Sequence, residues 1–577
     1  MRGFLFIVIA AAAAGLAGRA QQPPADLIVH NARVYTVDPK RPTAEAVAAR
    51  GDRLVFVGDN RGALALRGPS TRVIDASGAT VVPGLQDAHG HFTGLGQSLQ
   101  RLDFRRTTSY EQIVEMVRQA AAKARPGEWI LGRGWDQNDW PEKRFPTKAP
   151  LDRAAPQNPV YLTRIDGHAG LANSLALRLA GVTRETQNPE GGEIIRDASG
   201  EPTGVLIDRA QGLVTRRIPP PPREQLIDQI LLADRECRRL GLTMVHDAGT
   251  SGAVADLYRQ LVDEGRIQTR LYVMLRHTLE ELRPHFARGP LIGYAAHRLT
   301  VRAIKITADG ALGSYGAALL EPYADRPESR GLLTETPDEI YRKTLEASKA
   351  KFQTCIHAIG DRANRIVLDI FERVQREVPG ARDLRLRVEH AQILDRDDIP
   401  RFARLGVIAS MQATHATSDM PWAPTRLGPE RTAEGAYVWR KLLRTGAIIA
   451  NGSDFPVEEA NPMLGLYAAV TRQDPSGHPP GGWMPEERMT REEALASFTI
   501  HAAYAAHLER ELGSLEPGKL ADLVVLSKDI MTVPAREILT TRVLYTIVGG
   551  RVVYEAAAGS ASGPLDARAG ARRQAPR

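Results

Sequence analysis

His89 and His91 stand two positions apart in Pro83-Gly-Leu-Gln-Asp-Ala-His-Gly-His-Phe92. Side chains at i and i+2 of a strand share a face, so both imidazoles can grip one ion. Three more residues of ligand type lie far along the chain. They are His357 in Thr354-Cys-Ile-His, His390 in Leu386-Arg-Val-Glu-His, and Asp454 after Ile449-Ala-Asn-Gly-Ser453. Three or four convergent His and Asp ligands suit Zn²⁺ and related divalent cations. Lys305, within Arg302-Ala-Ile-Lys-Ile-Thr-Ala-Asp309, is the sixth residue of interest. Lysine is almost never buried unpaired. Burial beside metal ions would lower its pKa and leave a neutral amine, able to take up CO₂ as a carbamate that bridges two ions. A snorkelling or salt-bridged lysine is the alternative. Taken singly, each of these residues is more often packed or hydrogen-bonded than a ligand; their joint placement carries the chemistry.

That placement depends on strands. Eight candidates can be read: Val81–Phe92, Leu242–Gly249, Arg270–Leu275, Val301–Thr307, Thr354–Ala358, Leu386–Ala391, Val407–Gln412 and Ala447–Ser453. Amphipathic stretches such as Asp338–Lys351 and Asp361–Glu377 lie between them. Alternating strand and helix is the βα signature, and eight parallel strands with helical crossovers make a TIM barrel. The ligand candidates then sit at strand ends on the C-terminal face, where such barrels do their chemistry. The gap between the first two strands is about 150 residues, against about 30 for a βα unit, so an insertion over roughly residues 105–235 is expected over the mouth. Strand-like segments near both ends, such as Asp26–Tyr35 and Val543–Val548, predict a small β-sandwich from residues 21–82 and 510–555. The barrel takes residues 83–509.

The formal net charge of +7 sits largely at the chain ends, in Arg2 and Arg19 and in Arg568, Arg572, Arg573 and Arg577. It does not argue for nucleic acid, and no basic stripe interleaved with aromatics appears. Hydrophobic residues at 43% and charged residues at 25% match a globular enzyme. Arg2, the apolar run Phe4–Ala14 and the small-x-small Gly18-Arg19-Ala20 predict a signal peptide over residues 1–20. That implies export to a periplasmic or extracellular compartment; an uncleaved anchor is the alternative. No later run is apolar enough to span a bilayer. Cys237 and Cys355 are read as two separate buried thiols, with a disulfide between them as the other option. The Ala/Gly/Ser/Arg-rich tail, 556–577, reads as disordered.

Several segments together resemble the amidohydrolase superfamily, in its amidohydrolase-3 branch, which includes N-substituted formamide deformylases. They are Val82–His91, Ile304–Ser314, His357-Ala-Ile-Gly-Asp361, Arg387-Val-Glu-His390, Ser410-Met-Gln412, Gly452-Ser-Asp-Phe-Pro456 and Gly513–Leu523. The likeness covers residues 26–555, and it is specific for the family but not for substrate. It implies metal roles for His89, His91, Lys305, His357, His390 and Asp454. By analogy His89, His91 and Asp454 would hold one ion, and carboxylated Lys305 would bridge it to a second held by His357 and His390. Water activated by the metal would attack a carbonyl, and Asp454 would accept the proton and pass it to a leaving nitrogen. One departure is Tyr315-Gly316, where the family often shows Arg-Thr.

The implied reaction is hydrolysis of a C–N bond outside a peptide main chain, in an amide, formamide or cyclic amide. An ester, lactone or carbamate would serve the same site. A catalytically silent barrel that only binds would have lost ligands, and here each position is filled. No Gly-x-Ser-x-Gly elbow supports a serine hydrolase. His168, in Arg164-Ile-Asp-Gly-His-Ala-Gly170, resembles the family's cap region and is the candidate for substrate contact; hydrogen bonding within its loop is the alternative. Trp135 is read as cap packing, with lining of the same pocket as the alternative. His246 and His415, at other strand ends, are read as packed or exposed rather than ligands, though either could face the site. Asp361 is read as a helix cap. The partner is a small molecule, and a homo-oligomer is compatible with the sequence.

Overall fold

A computed structural model of the protein describes residues 23–105 and 107–557. The expected signal peptide, and nearly all of the tail expected to be disordered, lie outside these residues.

The barrel strands are β1 Leu85–Gly90, β2 Leu242–Thr250, β3 Arg270–Leu275, β4 Leu299–Thr307, β5 Gln353–Ala358, β6 Arg387–His390, β7 Ile408–Gln412 and β8 Ile449–Gly452. They pair in parallel in chain order from β1 to β8. β8 returns to β1, where the Asp454 N–H donates to the His89 carbonyl at 2.6 Å, so the ring is nearly closed. The fold is a TIM barrel.

The first sequence candidate, Val81–Phe92, is two strands. Thr80–Pro83 pairs with Leu523–Leu526 in an outer sheet, and only Leu85 onward joins the barrel. Gly84 makes the transition, because a Cβ there would lie 2.2 Å from Thr243 Oγ1. The outer sheet joins strands from both chain ends and faces a four-stranded sheet built from Leu27–His30, Ala46–Arg50, Arg53–Gly58 and Arg72–Asp75. Leu27, Val47, Val81, Leu523 and Ile547 are buried together between them.

Strand alternation sorts the barrel residues. On β4, Ala303 belongs to the inner core while Ile304 and Ile306 pack outward on the helices. Lys305 and Thr307 follow Ala303 on the inner face, by the two-residue period. On β5, Cys355 is inside and Ile356 outside, so His357 is carried up to the mouth. Lys305 and Cys355 are register partners, which puts the lysine one layer below His357. Cys355 and Cys237 are both free and buried.

Between β1 and β2 the chain builds a separate six-stranded sheet, in the order Gly192–Arg196, Pro202–Asp208, Ala169–Ala172, Val160–Arg164, Ile130–Trp135 and Leu102–Asp103. Trp135 is fully buried in it against Trp140 and Phe145, with its Nε1–H donated to the Leu162 carbonyl, and so packs the cap. The helix Arg223–Arg239 then leads back to β2. Among the described residues, no helix is long and apolar enough to cross a membrane.

Candidate metal centre

The residues singled out by type converge at the C-terminal mouth. His89, His390 and Asp454 each place a ligand atom within 4.8 Å of the others'. His91 Nε2 lies 3.0 Å from Asp454 Oδ1. The His357 ring is 4.5 Å from that of His390, and Lys305 Nζ is 3.2 Å from His89 Nε2. The expected division put His390 with a second ion. In the structure its ring is nearly as close to His89, at 4.7 Å, as to His357.

The surroundings make these side chains good ligands. His89 Nδ1–H donates to Glu389 Oε2 at 2.5 Å, which leaves the Nε2 lone pair facing the mouth. His390 Nδ1–H donates to Gln412 Oε1 at 2.7 Å, with the same result. Such outer contacts fix the tautomer and orientation of a ligating imidazole. Burial, then the Lys305 charge, pushes His89 down to about 4, and burial holds His357 and His390 well below the usual imidazole range. All three are neutral and able to ligate. Burial acts to raise the Asp454 carboxyl, but His89 and His91 outweigh it and hold it well below the usual range. Burial pushes the Lys305 ammonium down to about 8, within reach of the neutral amine.

Asp454 Oδ1 and His89 Nε2 are 3.4 Å apart, with His91 Nε2 3.0 Å from the first and Lys305 Nζ 3.2 Å from the second. His357 Nε2 is buried and without a hydrogen-bond partner. A divalent cation would satisfy this set of neutral nitrogens and carboxylate oxygen, so the donor set fits a metal.

Beneath the ligands lies a buried polar network. Arg387 and Glu389 are both fully buried and paired, Nε to Oε1, at 2.8 Å. Arg387 also donates to the Ala88 carbonyl, to Ser410 Oγ and to His246 Nδ1. His246 is thus a packed residue of this network. Burial acts to raise Glu389, but Arg387 and then His89 hold it well below its usual range, so it stays an anion.

A cavity of about 650 Å³ opens above the ligands, walled by the barrel loops and the inserted sheet. His168 lines it, 4.9 Å from His357 ring to ring, and its Nδ1 pairs with Asp208 Oδ1 at 2.5 Å. His168 is thus hydrogen-bonded within the inserted sheet and also faces the cavity. Burial opposes protonation of His168, but the Asp208 carboxylate outweighs it and raises the pKa. Of the two histidines the sequence left open to face the site, His415 does line the cavity, with Nε2 3.8 Å from Asp454 Oδ2. Asp361 is the first residue of its helix, and its carboxylate accepts from the Arg362 and Leu320 N–H groups. Tyr315, at the departure from the family pattern, donates to Asp325 and is not among the cavity's lining residues.

Glu389, Gln412, Asp208 and Asp309 were not singled out as site residues. Asp309 Oδ1 is 3.5 Å from His357 Nε2; burial pushes its carboxyl up to about 7 against three backbone N–H bonds. Its signals in the sequence were the two-residue step from Thr307 and its place inside the segment Ile304–Ser314.

Comparison with known proteins agrees with this geometry. The model of the family described as "Amidohydrolase family" matches residues 72–554. The chain is 31% identical to an N-substituted formamide deformylase of Arthrobacter pascens, over 92% of this chain and 98% of that protein. It is 33% identical to the putative amidohydrolase YtcJ of Bacillus subtilis, covering 84% and 91%, and 36% identical to Protein LONG AFTER FAR-RED 3 of Arabidopsis thaliana, covering 92% of each. An uncharacterized metal-dependent hydrolase from Pyrococcus horikoshii superposes with a TM-score of 0.70 at 26% identity, over 88% of this chain and 99% of that one. The chain belongs to the amidohydrolase family and is a hydrolase of its metal-dependent kind.

Proposed function

We propose that this protein is a zinc hydrolase that cleaves a C–N bond outside peptide main chains, with N-substituted formamides as the first class to test. The observation that carries the reading is the convergence of His89, His390 and Asp454 on one point beneath a polar cavity. The formamide deformylase relative supports the substrate class, since that likeness covers nearly the whole of both chains.

His89, His91 and Asp454, with His357, His390 and Lys305, would hold the ions. When bound, the metal supplies Lewis-acid polarisation of a carbonyl and water acidic enough to lose a proton near neutral pH. The chain's own residues do the rest. Asp454, anionic and beside the ligands, receives that proton on a carboxylate oxygen and delivers it to the departing nitrogen, first base and then acid. Glu389 keeps His89 turned toward the mouth. His168, held by Asp208, closes the side of the cavity over His357 and positions the substrate. Lys305 as a neutral amine would add CO₂ through a new N–C bond with loss of one proton, and the resulting carbamate would join the residues that hold the ions. Export rests on the N-terminal residues Arg2 to Ala20.

Zinc-reconstituted protein should release amine from N-alkylformamides, and a chelator should abolish the release. The test is a panel of N-alkylformamides, simple amides and the matching alkyl formates, scored for amine, acid and alcohol. Cleavage of the formates with every amide untouched would overturn the C–N assignment.

A further inference from the structure

We propose that Arg276, with Arg209, forms an anion subsite in the reaction cavity, so that the preferred substrate carries a carboxylate near the bond to be cleaved. The inference rests on the reading above of this cavity as the substrate chamber, and deepens it by naming the charge of the substrate.

Arg276 follows the last residue of β3 directly, on the catalytic face, and its N–H donates to the Thr250 carbonyl at the end of β2. Its stem lies beside that of Lys305. A Cβ built on Gly249, which sits between them at φ +122°, would be 3.3 Å from both Arg276 Cδ and Lys305 Cγ. The Arg276 and Lys305 stems therefore approach the same glycine. Arg209 comes from the inserted sheet, one residue after the Asp208 that holds His168. Both arginines line the cavity.

Of the other cavity arginines, Arg164 is held by Asp136 and Asp166, Arg105 by Asp103, and Arg133 donates to the Pro456 and Ile165 carbonyls, while Arg101 lines the cavity as well. Neither the Arg276 nor the Arg209 guanidinium makes a hydrogen bond or ion pair with any described residue. The acid nearest in effect, Glu335, is held by Lys343 at 2.6 Å. Asp208 is held by His168. Burial lowers the pKa of Arg276, Glu335 offsets part of this, and Arg209 adds to it. Both side chains remain exposed, so their guanidinium donors are open to a ligand entering the cavity. A guanidinium offers a planar fork of donors that matches a carboxylate in bidentate fashion. A substrate bearing a carboxylate would complete this wall while its amide reaches the ligands.

The test is calorimetric titration of the holoprotein with succinate and with succinamide, the same skeleton without charge, at equal metal occupancy in every variant. Wild type should bind succinate about 10- to 100-fold more tightly than succinamide, the range for a hydrogen bond to a charged group. Arg276→Gln should bring the ratio close to one, and Arg276→Lys should restore part of it. A ratio near one in wild type, or an undiminished preference in Arg276→Gln, overturns the subsite. The formamide panel is scored separately. Absence of any turnover, with the Arg276-dependent preference intact, would sink the hydrolytic reading and leave the subsite standing.

Discussion

Asp454→Asn is expected to lower kcat by roughly 10²- to 10⁴-fold, the usual contribution of a positioned general acid–base group. The substitution keeps the side chain's shape and removes the charge that the neighbouring histidines stabilise. It also replaces the carboxylate whose Oδ1 faces both His89 and His91 with a poorer ligand, so metal content should fall alongside activity. The measurement is kcat on a cleaved formamide together with zinc per chain. Full metal content with kcat within tenfold of wild type would move the proton transfer elsewhere, with His415, 3.8 Å from the same carboxylate, first in line.

Glu389→Ala is expected to cost about 3–5 kcal/mol of stability, because it strands the Arg387 guanidinium in a site with no exposure. It also frees His89 to rotate, and loss of such an orienting partner typically lowers metal affinity 10- to 100-fold. Glu389→Gln retains an acceptor for His89 and should lose less on both counts. Thermal melting and a competitive zinc titration read the two effects. If Glu389→Ala melts with wild type, the Arg387–Glu389–His89 chain is not what holds the barrel mouth together.

How far the sequence foretold the site depends on the distance over which each contact is made. The His89/His91 pair needs only the two-residue period of a strand. The strand-end positions of His357 and His390 need only strand boundaries, and those fell within a few residues of the observed ones. The βα alternation fixes the barrel, and with it the face on which all of these meet. The exception, Val81–Phe92, was read as one strand because its apolar run continues through Gly84, where the chain changes sheets. The partners that tune the ligands were hidden for a different reason. Glu389 and His89 are 300 positions apart, and Asp208 and His168 meet within a sheet whose order the sequence does not declare. Glu389 and Gln412 lay inside motifs already quoted, yet nothing local marks a glutamate before a histidine as the partner of another histidine. Arg276 carries no motif at all. It is noticed only once the acids around it are found to be engaged with other bases.

The most direct test of the central claim, a divalent metal centre built from His89, His91, Lys305, His357, His390 and Asp454, is elemental analysis of purified wild type beside Lys305→Ala. The account predicts about two equivalents of zinc or a similar metal in wild type, as in two-metal hydrolytic sites, and a clear fall in the variant. One equivalent in both would reduce the centre to a single ion and Lys305 to a structural residue. No metal in either protein after reconstitution would contradict the account and leave a barrel that binds without hydrolysing.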